Sequence, residues 1–395
     1  MDLRKFPLFA NLPEEELKIA NGLLRVKEFA RREIVCRKQE AADGLYLLFS
    51  GQLQAIDIAG RVLFDGKRAT GIEYRQGKET RRVIARRETI LGLGAFQTPH
   101  LLMLSGIGDR DELARHGIAS VHHLPGVGAN LQDHPNVSIF FKGRAPTDCT
   151  WAQLYGFHRA RPEAPLPAGQ ADTCYVFYSA RSSFREGVIR LLPLMLLPLF
   201  LYRVRPLVRA LRAVIKAVFK LGLLRRLVER MYGVVVILGK PQSRGRLRLR
   251  GLDPAAPAII DPNYFGDPAD LETLVDGVER ARRLTAAPAL AAWGNRELIP
   301  GARTRSRAAL RRFIRKNAMT TYHYGGTCSM SAQPTQGVVS PELEVRGVRG
   351  LRVADASVMP VVPVSALNAS SMLIGYRAAR LIKEKARREA AALAA

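Results

Sequence analysis

HYGGTCSM (His323–Met330), then GLRVADASVM (Gly350–Met359), then NASSMLIGYRAARLI (Asn368–Ile382) decide how this chain is to be read. On residue type alone the opening histidine is unremarkable. A lone imidazole beside tyrosine and glycine is usually a structural residue held by local hydrogen bonds. The other six histidines, His100, His116, His122, His123, His134 and His158, carry that same structural reading. Neither the His122-His123 pair nor His134 has an obvious third ligand at metal-binding spacing, so no metal site is expected. From Ser371 to about Ala386 the apolar spacing predicts a final amphipathic helix. The weight comes from what surrounds these segments.

Working outward, GAFQTPHLLMLSGIG (Gly94–Gly108) places a glycine-containing turn before a helix that ends in S-G-I-G. LPGVGANLQDHP (Leu124–Pro135) follows, and Lys240–Leu284 reads KPQSRGRLRLRGLDPAAPAIIDPNYFGDPADLETLVDGVERARRL. With the H-x-x-G-T-C-x-M run, the D-A-S strand end and the asparagine before the last helix, these stretches appear in one order. From about Arg61 to about Glu384 the chain resembles the C-terminal part of the glucose–methanol–choline (GMC) flavin oxidoreductases, choline-dehydrogenase-like.

The resemblance implies FAD-dependent oxidation of an alcohol at a CH–OH group, with hydride passing to the flavin and a base taking the hydroxyl proton. It implies His323 as that base and Asn368 as its partner, donating a hydrogen bond to the developing alkoxide. Gly94, Ala95, Asp355, Ala356, Ser357, Ala369 and Ser370 are implied as cofactor-binding. Leu93 departs from the small residue usual before that glycine, and a bulky side chain there would crowd a closely packed cofactor. A small alcohol is the implied substrate. Whether the acceptor is oxygen is left open.

One expected element is missing. FAD enzymes of this kind hold the pyrophosphate on a strand–GxGxxG–helix turn, where glycines allow close backbone approach. Gly92-Leu93-Gly94, Gly106-Ile107-Gly108 and Gly126-Val127-Gly128 each lack the third glycine. Three origins stay open: a gene-assembly artefact, a degenerate fusion, or half of a split enzyme completed by another chain. The functional alternatives are a non-catalytic chimeric remnant and a regulatory module fused to the GMC part.

That module would lie at the front. Leu12-Pro13 before Glu14, Glu15 and Glu16 predicts a helix start, and Glu33–Cys36 and Leu45–Phe49 predict two short strands. FPLFANLPEEEL and REIVCRKQEAADGLYLLFSGQLQAI resemble the opening of a cyclic-nucleotide-binding domain of the catabolite-activator type. The phosphate-binding cassette does not follow, so cyclic nucleotide binding is not expected.

The chain's 61 basic and 35 acidic residues give a net charge of +26, which favours anionic partners without bearing on fold. Cys36, Cys149, Cys174 and Cys328 form no CxxC pair, which fits a reducing compartment. The start has no signal-like apolar region, so a cytoplasmic location is expected. Between Arg190 and Arg230 stand ten basic residues and one acid, Glu229. After Pro206, Leu207, Leu211, Val214, Val218 and Leu221 fall on one helical face, with Arg205, Arg209, Arg212, Lys216 and Lys220 on the other. This pattern predicts either an anchor on an anionic membrane surface or a helix packed on its own domain. The apolar run Leu191–Tyr202 is too short to span a bilayer. No nucleic-acid-binding pattern is present.

The expected fold class is α+β: an incomplete FAD-binding domain of GMC type, a substrate domain with antiparallel sheet and helices, and a short N-terminal partial β-roll. The expected divisions are 1–56, 61–135 for the FAD-domain portion, 136–315 for the substrate domain and 316–386 for the return to the FAD domain. A hairpin is expected around Asp65-Gly66, then an apolar run from Val83-Ile84 to Ile90-Leu91. One antiparallel sheet should take Val235–Leu238, Leu247–Leu249 and Ala258–Ile260, and a helix should cover Asp267–Leu284.

Overall fold

The computed structural model describes residues 57–76, 79–147, 154–180, 197, 201, 204–218, 222–301, 303–333 and 335–394. The expected N-terminal helix, strands and partial roll of residues 1–56 lie outside these, as does nearly all of 191–202. Ile56–Ala395 form one compact unit.

The expected hairpin is β1 (Asp57–Asp65) against β2 (Arg68–Gln76), turning at Gly66 with φ +53°. A left-handed residue at a tight turn is what glycine tolerates best. β3 (Glu79–Ile84) adds an exposed third strand. β4 (Thr89–Leu91) is not its continuation. It leaves that sheet and pairs in parallel with β15 (Leu351–Val353), so the run from Val83 to Leu91 is split between two sheets. The break falls at Arg86-Arg87-Glu88, where Glu88 turns to pair with the buried Arg352 at 3.0 Å.

After β4 comes α1 (Gly94–Leu104), then β5 (Ile107–Gly108) and α2 (Arg110–Arg115), which Asp109 caps. β6 (His122–His123) pairs in parallel with β5. Leu101, Leu102, Met103, Ile107 and Leu113 are buried against Val338, Val339, Val345, Leu351 and Val353. The last helix, α8 (Asn368–Ala394), adds Ala378 and Leu381 to this core. It begins earlier and runs longer than the expected 371–386.

The second core belongs to a six-stranded antiparallel sheet. Its strands are β7 (Pro135–Lys142), β8 (Leu154–His158), β9 (Thr173–Ser179), β10 (Met231–Leu238), β13 (Arg296–Ile299) and β14 (Met319–Thr320). The order is β13-β7-β10-β9-β8, with β14 pairing the start of β7. Between β9 and β10 lie α3 (Arg205–Val218) and α4 (Gly222–Glu229). β11 (Arg246–Arg248) and β12 (Ile259–Asp261) form their own ladder, so the single sheet expected over 235–260 is two. The cause is local: Leu247 N donates to Gly128 O at 2.7 Å, which holds β11 against the 124–131 turn and away from β10.

The helix expected over 267–284 is α5 (Pro268–Thr285), started by Asp267 accepting from Ala269 N and by Pro268 at the first turn. Its buried Leu271, Leu274, Val278 and Ala281 cover the β7–β10 face. Gly277 lets it approach closely, since a Cβ there would meet Val236 at 2.6 Å. The short α6 (Pro288–Ala291) leads to β13, and α7 (Arg307–Asn317) packs beside α5. Arg307 bridges Glu272, Asp276 and Glu279 across that seam.

α3 differs from its expected facing. Val208 and Ile215 are its buried residues, whereas Leu207, Val214 and Val218 of the expected apolar face are exposed. An amphipathic pattern fixes the two faces of a helix; which residues point inward depends on the neighbours it meets. Among the described residues no helix is long and apolar enough to cross a membrane.

Candidate active site

The site forms where the start of β7 meets the turn after β14. Thr320 pairs with Pro135, and Gln132 and Gly325 exchange both backbone hydrogen bonds at 3.0 Å. This lashing brings Asp133 and His134 against His323. Asp133 is the organiser: it accepts from His323 N at 2.8 Å, from Thr320 Oγ1 at 2.5 Å and from the Tyr264 hydroxyl. Burial, then the hydrogen bond to Asp133, pushes the Tyr264 phenol well up, so it stays a protonated donor. Tyr322 takes φ +62° with its ring exposed, a strained backbone for a bulky residue and the kind held only where surroundings over-determine it.

His134 Nδ1 and His323 Nδ1 lie 3.0 Å apart, with the rings edge to face at 83°. His134 is fully buried. Burial, followed by His323 and Lys240, pushes it down to about 3, so it is neutral. Its Nε2 has no hydrogen-bond partner in range, although the carbonyls of Pro363 and Gly239 stand near enough to offset a little of the burial. His323 is half-buried and is also lowered, by burial against a smaller opposing pull from Asp133. Two neutral imidazoles sharing one proton between their Nδ1 atoms set each other's tautomer. Sequence reasoning assigned His134 a structural role. The LQDHP stretch is distinctive in sequence, but nothing in it points to His323 as the partner.

A second group of predicted residues meets at the end of β15. Asp355 accepts from Gly94 N at 3.0 Å, from Thr98 Oγ1 at 2.6 Å and from Ser357 N at 2.7 Å. Thr327 Oγ1 donates to Ala95 O at 2.7 Å, and Cys328 N donates to Ser357 O at 2.8 Å. Gly94, Ala95, Asp355, Ala356 and Ser357 therefore form one corner, 261 positions apart in sequence at the Gly94–Asp355 bond. Gly94 has φ +83° and nothing within 4 Å of where a Cβ would stand, so the turn opens outward.

Asn368, Ala369 and Ser370 open α8, with Asn368 exposed. No hydrogen bond links Asn368 to His323. Leu367, just before it, lies 3.6 Å from the Cβ position of Gly325, two residues beyond His323.

Residues 52–136 and 241–375 match two family models, each described as GMC oxidoreductase, together more than half of the chain. This chain belongs to the GMC oxidoreductase family. It is 34% identical over 337 residues to an alcohol dehydrogenase [acceptor] of Pseudomonas putida, covering 83% of this chain and 57% of the relative. It is 34% identical over 334 residues to choline oxidase of Arthrobacter globiformis, covering 82% and 54%. Among solved structures, the pyridoxine 4-oxidase of Mesorbium loti superposes with a TM-score of 0.64 at 25% identity, over 82% of this chain and 56% of that one. The chain thus spans between half and two thirds of the length of the relatives it matches. The paired histidines and the Asp355 corner lie within or beside the matched residues.

Proposed function

We propose that this chain carries the proton-accepting side of an FAD-dependent oxidation of a small alcohol to the aldehyde. The observation that supports it most is the His134–His323 contact, in which a buried neutral imidazole is held against a half-buried one. With the His134 proton on Nε2, its Nδ1 accepts from His323 Nδ1–H. His323 Nε2 then carries the free lone pair. Asp133 fixes the His323 backbone, and the lowered basicity keeps that lone pair unprotonated near neutral pH. His323 accepts the hydroxyl proton, and Asn368 donates to the alkoxide oxygen once α8 frames the substrate. The GMC relatives' names, alcohol dehydrogenase and choline oxidase, support a small CH–OH substrate.

FAD, when bound, supplies the hydride acceptor. The residues that would hold it are Gly94 and Ala95 at the α1 start, the Asp355–Ser357 corner, and Ala369 and Ser370. The open Gly94 turn at the start of a helix, where the dipole favours negative charge, fits that role. Half-exposed Leu93 lies on the same rim. The sequence carries no strand–GxGxxG–helix turn for the pyrophosphate. On this reading 61–135 and 316–386 are the FAD-domain portions, 136–315 is the substrate domain, and a complementing chain supplies the remainder. The front segment 1–56, cyclic-nucleotide-like in sequence, is a fused piece with no part in the chemistry.

The test is a visible spectrum of the purified chain titrated with FAD, followed by alcohol oxidation with an artificial acceptor. A flavin spectrum and activity that His323→Ala lowers by about 10²–10⁴-fold, with the spectrum intact, are expected. Full activity in that variant would refute the assignment of the base. A chain that stays colourless, alone and with candidate complementing chains, would leave the remnant reading in its place.

A second reading concerns α3. Exposed Leu207, Val214 and Val218 beside Arg209 and Lys216 suit an anchor on the anionic inner membrane surface.

A further inference from the structure

Away from the histidine pair, the opposite end of the same strand carries a different chemistry. Lys142 closes β7 and pairs across the sheet with Met231 on β10 and with Arg296 on β13. Arg230 immediately precedes β10, and its carbonyl accepts from Gly143 N at 2.9 Å. Arg144 follows two residues after Lys142, and its N donates to Trp293 O at 3.0 Å. The arginine stem lies over Gly294, where φ is +73° and an added Cβ would meet Arg144 Cγ and Nε at 2.6 Å. Three neighbouring strand ends therefore deliver four cationic side chains to one cavity of about 340 Å³, lined by Lys142, Gly143, Arg144, Arg230, Gly294 and Arg296.

Among the described residues no carboxylate pairs with any of the four. Glu297, next to Arg296, is already gripped by Arg282 at 2.9 and 2.7 Å and accepts from Gly301 N. Some arginines elsewhere do have such partners: Arg282, Arg307, Arg311 and Arg352 are each paired with glutamate. Four like charges gathered without a counter-charge repel one another, and an anion between them removes that cost. Guanidinium forks suit the oxygen geometry of phosphate, and the Arg144 backbone is fixed through Trp293 O. The volume lies near the lower end of small-ligand clefts, about 300–1,000 Å³, room for a diphosphate with a short organic tail.

We propose that Lys142, Arg144, Arg230 and Arg296 form a binding site for a phosphoryl group, carried by a soluble phosphate ester or by a phospholipid headgroup. The site is separate from the proton-transfer centre, since β7 sets them apart by about 24 Å at a rise of ~3.4 Å per residue. It does not rest on the reading of that centre.

The experiment uses the full chain and the double variant Arg144→Gln/Arg296→Gln, both exposed positions, with thermal unfolding checking that the variant folds. Calorimetry with inorganic pyrophosphate is expected to give one site whose affinity falls at least tenfold in the variant. A single Lys142→Gln variant is expected to weaken it less. Flotation with phosphatidylcholine vesicles, with and without phosphatidic acid, then separates the sources. Flotation that needs phosphatidic acid, is lost in the double variant and is competed by pyrophosphate assigns a lipid headgroup. Pyrophosphate binding without such flotation assigns a soluble ester. Pyrophosphate affinity unchanged by the double variant, or no binding at all, overturns the site. In that event, flotation abolished only by Arg209→Glu/Lys216→Glu belongs to α3.

Discussion

The two sheets that flank the site are finished to different degrees. The six-stranded antiparallel sheet is covered by α5 and α7, with Leu274, Val275, Val278, Leu310 and Ile314 showing no exposure. Among the described residues the parallel pair β4–β15 is two strands wide, with Glu344 bridging Arg352 across the far edge of β15. Parallel strands are normally buried on both faces within wider sheets, and a two-stranded unit is marginal by itself. Here Leu91 and Val353 are buried on one side, while Ile90 is 47% exposed. Leu93 and the Met372, Leu373 and Tyr376 side chains of α8 are also exposed. His323 sits beside the broader sheet, tied to it through the start of β7. The Asp355 corner sits at the end of β15, in the narrower pair. The broader sheet is thus closed by its own helices, whereas the narrower pair leaves an apolar side chain in contact with water.

The largest effect should separate the two sides by core truncation. Leu274→Ala removes a fully buried side chain between α5 and β10. It is expected to cost about 2–5 kcal/mol in chemical denaturation, with the melting temperature falling accordingly. Leu373→Ala, 65% exposed on α8, is expected to change stability by no more than about 0.5 kcal/mol. Equal losses from both would mean that the α8 face is covered in solution.

The next effect is smaller and depends on pH. His134 holds its proton far less readily in the folded chain than in the unfolded one, at about 3 against the ordinary 6.5. Between those values the unfolded chain binds more protons, so this group's contribution is present above 6.5 and is lost as pH falls toward about 3. The expected slope is about 1.4 kcal/mol per pH unit from this one imidazole. His134→Gln, which keeps a polar group without the titration, should flatten that limb in urea melts recorded from pH 7 to pH 4. An unchanged slope would mean that His134 is hydrated and titrates normally.

How much of this was legible in sequence follows from range. α5 was readable because Asp267-Pro268 marks its start and Leu271, Leu274, Val278 and Ala281 mark its inner face, all within one local window. The Asp355 corner was readable through motifs, though its bonds to Gly94 and Thr98 span more than 250 positions. The His134–His323 contact was not. It joins residues 189 positions apart through backbone pairing at Gln132–Gly325, and nothing local to either histidine encodes that register. The separation of β4 from β3 was missed for the same reason, since a parallel partner lies some 260 residues away in β15. The cationic cavity was hidden because Lys142, Arg144, Arg230 and Arg296 come from three strands and look in sequence like four of many basic residues.

The smallest effect tests the exposed face of α8 directly. Leu373 and Tyr376 lie one helical turn apart on α8 and are 65% and 64% exposed, so together they present one apolar stripe. Apolar side chains scattered singly on a surface need no explanation, but contiguous ones mark a contact site. Leu373→Ser/Tyr376→Ser should leave folding stability almost unchanged, because both side chains already contact water. Sedimentation velocity should instead register the change, as weaker association with a complementing chain or, in its absence, less self-association. If the parent chain sediments as a clean monomer and candidate complementing chains bind the variant equally well, the stripe is ordinary surface. The exposed face of α8 would then need no partner.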